Sequence, residues 1–296
     1  MPTTVSYDGV RIFYQSYGTN NANESHLPVL FMTHGFGSGS KLWDAQVPVL
    51  LRHGYRVITW DMRGHANSEC PSANSEQAPN TYSKWSQIHD MKAVLAACDV
   101  LPLHATTGKQ PFFMIAHSMG GMDQLLFTMK WPKAASGLLL YGTGPGFKGD
   151  RGRLGWNKQA AKIAHSYGTK GLDALIGSDR TKGHTSSAGL IAACLGNYTQ
   201  REDDPLALEF AAMGGQLALA RNLNTIEQPT AVMIGQYDKT FGRASDMMAK
   251  DMPNATLYKV MNGGHMACEK TPKEFNQLMF VALAELQKSL SISARL

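Results

Sequence analysis

A parallel β-sheet covered by helices on both faces is the fold class this sequence predicts, and three observations predict it. Short, continuously apolar runs such as those in "LPVLFMTHGFG" and "PFFMIAHS" fit strands buried on both faces. These runs alternate with segments whose apolar residues recur at helical spacing. After the run ending near Tyr141, a long interval with helical stretches and no convincing strand interrupts the alternation, and strands then resume.

The elements follow in order. "VSYDGVRIFYQSYG" reads as two short strands around Asp8-Gly9, a two-residue hairpin signal. "LPVLFMTHGFG" is a buried strand running into glycines. "KLWDAQVPVLLRHGY" reads as a helix, with Trp43, Val47, Leu50 and Leu51 at helical spacing and Gly54 as its stop. "YRVITWDMRGHANS" is a strand leading into a loop. The Ser-, Asn- and Pro-rich "SECPSANSEQAPNTYS" continues as the longest loop. "WSQIHDMKAVLAAC" is a helix with Ile88, Met91, Leu95 and Cys98 on one face. The strand "PFFMIAHS" is followed by a helix presenting Met122, Leu125, Leu126 and Met129. "ASGLLLYG", "PTAVMIGQYD" and "ATLYKVMNGGH" are strands, and "PKEFNQLMFVALAELQKSL" closes the chain as a helix. Residues 1–145 and 227–296 are therefore expected to form one α/β core. Residues 146–226 are expected to form a helical cap over the carboxyl edge of the sheet, where open α/β sheets bind ligands.

Composition excludes several function classes. The chain has 296 residues, 43% hydrophobic and 17% charged, which suits one globular domain with an insertion and argues against disorder. The net charge of +5 comes from scattered residues with no basic run, so no nucleic-acid partner is expected. Cys70, Cys98, Cys194 and Cys268 form no C-x-x-C pair and no zinc spacing, and neither a metal nor a cofactor is expected. The segment "MPTTVSYDGVRIFY" lacks the features of a signal peptide, and no apolar run is long enough to span a bilayer. The expectation is a cytoplasmic chain acting on a small molecule. "GTGPGFKGDRGR" lacks the helix and the Lys-Ser/Thr that a phosphate loop requires.

The chemistry centres on "AHSMGG". Ser118 stands between a strand and a helix, the context of a nucleophile elbow with Ala116 at its first small position and Gly120 at its second. The competing reading makes Ser118 an ordinary helix N-cap. A serine hydroxyl needs a base, and His265 follows the last strand in a glycine-rich loop that lets its imidazole reach back. His117 is a poor base candidate, because adjacent side chains on an extended segment point to opposite sides. The base needs an acid, and Asp238 ends the preceding strand. Asp61 and Asp123 are rivals, but Asp61 reads better as part of a loop held with Arg63, and Asp123 falls in the helix behind the serine. The order Ser118, Asp238, His265 suits this kind of sheet. Oxyanion donors are expected at the backbone N–H of Met119 and, from "HGFG", of Phe36.

Taken together, "HGFG", "DMRGHANS", "AHSMGG", "GQYD" and "GGHMACEKTPKEFN" resemble the α/β-hydrolase superfamily over nearly the whole chain. The resemblance implies an eight-stranded, mostly parallel sheet with a cap, Ser118 as nucleophile, His265 as base, Asp238 as acid, and Phe36 and Met119 as oxyanion donors. Ala116 and Ala66 stand where the family's pattern has glycine. Among cap-bearing members, the expected activity is hydrolysis of a small or medium, partly apolar carboxylic ester through an acyl-enzyme. A lactonase, a carbon–carbon bond hydrolase and a non-catalytic ligand-binding protein are the alternatives. Met266 and His117 stand where carbon–carbon hydrolases usually carry Trp and Asn.

Overall fold

The computed structural model describes residues 2–18, 27–71, 81–149 and 222–293, with scattered residues between 151 and 166. Eight strands form one sheet: β1 (Thr3–Val5), β2 (Arg11–Tyr17), β3 (Val29–Thr33), β4 (Val57–Trp60), β5 (Phe112–His117), β6 (Gly137–Tyr141), β7 (Thr230–Gly235) and β8 (Ala255–Val260). Their order is β1-β2-β4-β3-β5-β6-β7-β8. The pairs β1–β2 and β2–β4 are antiparallel, and every other pair is parallel. The eight-stranded, mostly parallel sheet expected from the sequence is therefore present.

The central strands are buried at every residue, which is why they read as unbroken apolar runs. Alternate residues serve opposite faces. Phe31, Met114, Leu138, Leu140 and Val232 pack in one cluster with α2 (Lys84–Ala97), α3 (Met119–Lys130) and α4 (Gly242–Asp251). Leu30, Phe113, Ile115, Leu139 and Met233 pack in the other with α1 (Val47–Arg52), α5 (Ala267–Lys270) and α6 (Pro272–Ser293). Each fully buried side chain of this size contributes about 1.5–3 kcal/mol.

Two local expectations need correction, and one further helix is present. The Asp8-Gly9 hairpin has five residues between its last pair, Val5 and Arg11, not two. Gly9 takes φ 89, and Ser6 N–H donates to Val10 O at 2.8 Å, so the turn closes outside Asp8-Gly9. The helix expected over "KLWDAQVPVLLRHGY" is split into a 3₁₀ turn, Ser40–Trp43, and α1. Pro48 lies in the first turn of α1, where its missing N–H costs nothing, but its ring would clash inside a helix continued from upstream. Helix α4, between β7 and β8, was not anticipated. Helix α2 starts where Ser83 accepts the Ser86 N–H at 3.2 Å, a side-chain cap. The expected cap, 146–226, lies outside the described residues apart from its margins. No described helix is long and apolar enough to cross a membrane.

Candidate active site

The carboxyl ends of β3, β5, β6, β7 and β8 converge, and the residues singled out in the sequence follow them. Ser118 comes directly after β5, with φ 53 and ψ −121. A non-glycine residue held there costs about 1–3 kcal/mol, so the surroundings must impose it. They do so through the main chain. Ser118 N–H donates to Tyr141 O at 2.9 Å, and Ser118 O accepts from Gly121 N–H at 2.9 Å and from Thr143 Oγ1 at 2.5 Å. A Cβ on Gly120 would collide with the His34 carbonyl oxygen, and one on Gly121 would meet Thr143. Close approach therefore requires glycine at both positions. Ala116 is fully buried in the β5 core, where its methyl is accommodated.

The Ser118 side chain does not cap α3. Its Oγ lies 3.1 Å from His265 Nε2, and His265 Nδ1 lies 2.7 Å from Asp238 Oδ2. A carboxylate only accepts, so Nδ1 carries the hydrogen and Nε2 presents its lone pair to the hydroxyl. Asp238 Oδ1 accepts the N–H groups of Thr240 at 3.0 Å and Phe241 at 3.1 Å, so both carboxylate oxygens are oriented. Burial raises the pKa of Asp238, but His265 and those two N–H groups outweigh it and hold the carboxyl below its ordinary value. The Phe241 ring stacks on the His265 imidazole with centroids 5.1 Å apart at 17°.

Met119 is the first residue of α3, and Phe36 lies in the loop after β3. That loop abuts the serine: a Cβ on Gly35 would stand 2.9 Å from Ser118 Cβ. The loop is tied to residues 61–67. Asp61 accepts from Ser40 N–H at 2.5 Å, Asn67 N–H at 3.0 Å and Asn67 Nδ2 at 2.9 Å. Met62 N–H donates to His34 Nε2 at 2.9 Å, and Gly37 N–H to His65 Nε2 at 3.1 Å. Arg63 is clamped between Asp90 and Asp8, and Asp123 pairs with Lys84 at 2.6 Å. The rival carboxylates Asp61 and Asp123 are thus engaged away from His265. Ala66 takes φ 43, the conformation for which the family's pattern supplies glycine, at a cost of about 1–2 kcal/mol.

Sequence reasoning missed what surrounds His265. His117, set aside as a base, donates through Nε2 to the His265 carbonyl at 2.9 Å. Tyr141 and Phe241 also touch this loop or its imidazole, and nothing in their local sequence marks them. Among the described residues, no group of three His, Cys, Asp or Glu side chains could hold a metal ion.

The chain belongs to the alpha/beta hydrolase family, whose sequence pattern matches residues 29–278. It is 33% identical over 125 residues to a bifunctional esterase/perhydrolase of Acinetobacter calcoaceticus, a match covering 42% of this chain and 38% of that protein. The chain therefore spans less than two fifths of the length of that relative. It is 26% identical over 286 residues to a putative 2-succinyl-6-hydroxy-2,4-cyclohexadiene-1-carboxylate synthase of Bacillus subtilis, covering 93% of this chain and 95% of that one. A thermophilic esterase from Thermogutta terrifontis superposes with a TM-score of 0.71 at 18% identity, over 96% of this chain and 98% of that one, a likeness of fold. The family and the esterase/perhydrolase relative support a hydrolase.

Proposed function

We propose that the chain is a serine hydrolase that cleaves carboxylic esters of small or medium and partly apolar substrates through an acyl-enzyme on Ser118. The observation that carries this reading is the continuous relay from Ser118 Oγ through both nitrogens of His265 to Asp238. Oγ attacks the ester carbonyl while His265 Nε2 takes its proton. The same proton then passes to the leaving alcohol as the carbon–oxygen bond breaks. Water, deprotonated by His265, then attacks the acyl carbon, and the proton returns to Ser118 Oγ as its bond to the acid breaks. Asp238 holds the imidazole in the required tautomer and stabilises the imidazolium. The N–H groups of Phe36 and Met119 receive the oxyanion. In this reading the expected cap, 146–226, would select the acyl chain.

The test is a p-nitrophenyl ester series of increasing acyl length, run beside a lactone and a vinylogous 1,5-diketone. We expect turnover of the acetate or butyrate well above background, with a burst of p-nitrophenol before steady state. Substitution of Phe210 or Leu195 should change kcat/KM unequally along the series, since one methylene in an apolar pocket is worth about 1–3 kcal/mol. Efficient diketone cleavage with negligible ester turnover would overturn the reading.

A further inference from the structure

Two side chains that the hydrolytic steps leave unused meet at the loop carrying His265. His117 ends β5, Tyr141 ends β6, and the two are register partners in that parallel pair. Their rings lie 5.6 Å apart at 29°. Both reach the base loop. His117 Nε2 is 2.9 Å from the His265 carbonyl oxygen, and because a carbonyl only accepts, this nitrogen carries the hydrogen. The Tyr141 hydroxyl donates to Gly264 O and accepts the Ala267 N–H at 3.1 Å. Three contacts therefore fall on Gly264, His265 and Ala267. The Gly264 carbonyl also lies close against Gly235, where a Cβ would stand 2.5 Å from it. Burial raises the Tyr141 pKa, which keeps the phenol protonated and able to donate. The backbone carbonyl of the same tyrosine accepts the Ser118 N–H. Tyr141 thus fixes the nucleophile through its main chain and the base loop through its side chain.

We propose that His117 and Tyr141 are positioning residues that clamp the 264–267 loop and so hold His265 in reach of Ser118 and Asp238 together. This rests on the reading of His265 as the base. Neither residue exchanges a proton with substrate. Their contribution is geometric, and a misplacement of about 1 Å in such a relay lowers the rate on the order of 10²-fold.

Three variants separate this role from a contribution to folding. Tyr141→Phe removes only the hydroxyl. His117→Leu removes the N–H donor, and His117→Gln restores an amide N–H in its place. Two readouts are needed: kcat and KM on p-nitrophenyl butyrate for folded protein, and the downfield proton NMR signal of the His265 Nδ1–H bonded to Asp238. Tyr141→Phe and His117→Leu should each lower kcat by about 10- to 100-fold with KM nearly unchanged, and should shift or broaden the signal. His117→Gln should recover most of both. Should Tyr141→Phe fail to fold, the Leu and Gln pair decides alone. Unchanged kcat and an unchanged signal in the folded variants overturn the proposal, as does equal impairment by Leu and Gln. Wild-type protein without ester turnover would sink the esterase reading, and the NMR signal would still decide the clamp.

Discussion

Two loops meet at Ser118, and they are anchored by different chemistry. The loop after β3, which carries Phe36, is tied to the 61–67 loop by a buried carboxylate and two imidazole lone pairs: Asp61 and His65 of that loop accept its N–H groups, and its own His34 accepts the Met62 N–H. The loop after β8, which carries His265, hangs on the strand-end side chains of His117 and Tyr141, at the ends of β5 and β6, and on Gln236 just after β7, which accepts the Asn262 N–H at 2.9 Å. The first loop therefore depends on protonation states and a buried charge. The second depends on sheet register.

The largest effect comes from removing the residue both loops address. Ser118→Ala should fold normally and lose on the order of 10⁴–10⁶ in kcat. Asp238→Asn should cost roughly 10³–10⁴, because it favours the wrong tautomer of His265. Near-normal turnover in Ser118→Ala would refute the elbow.

Next comes the charged anchor of the first loop. Asp61→Asn turns a buried carboxylate with three donors into an amide that cannot accept from all of them. The expected result is a lowered Tm and a stability loss of about 1–3 kcal/mol, with a far smaller fall in kcat than Asp238→Asn produces. The reverse pattern, intact stability with catalysis lost, would mean that the acid was assigned to the wrong aspartate.

The smallest effect is a pH slope. Burial lowers the His34 pKa from its ordinary 6.5, against the opposing pull of Asp61 and the bond to Gly35 O. Below that ordinary value the unfolded chain binds a proton that the folded one resists, so stability falls as pH drops through 6.5. Asp238 has the same sign in a lower window: its folded pKa lies below 3.8, and its contribution is present above 3.8 and lost only as pH falls below it. Acid should loosen the first loop before the second. In Tm measured from about pH 7.5 to pH 5, His34→Gln should show a shallower slope than wild type. Equal slopes would remove His34 as the source.

The sheet was legible because burial on both faces writes strands as unbroken apolar runs, as in "FFMIAH" of β5. The relay was legible because its members sit at strand ends, where position alone narrows the choice. Helix α4 was not, since "GRASDMMAKD" is mostly polar and small and buries only Ser245 and Met248. The break before α1 is written in Pro48, which fits the first turn of a helix and not its interior. The clamp is of another kind. His117 and Tyr141 become neighbours only through the pairing of β5 with β6, and no local pattern encodes that register.

The long separation of its parts has a consequence for how the molecule acquires activity. Ser118 and His265 are 147 residues apart, and the strand partners between them are joined only through crossovers, the longest running from Tyr141 to Thr230. Closing such distances demands chain entropy before any contact repays it, so parallel pairing is slow relative to local helix formation. In a refolding chain, helices form on their own clock, whereas the relay comes into being only with the last long-range ladder. Returning turnover therefore reports the joining of β5 through β8, not recovery of any one part.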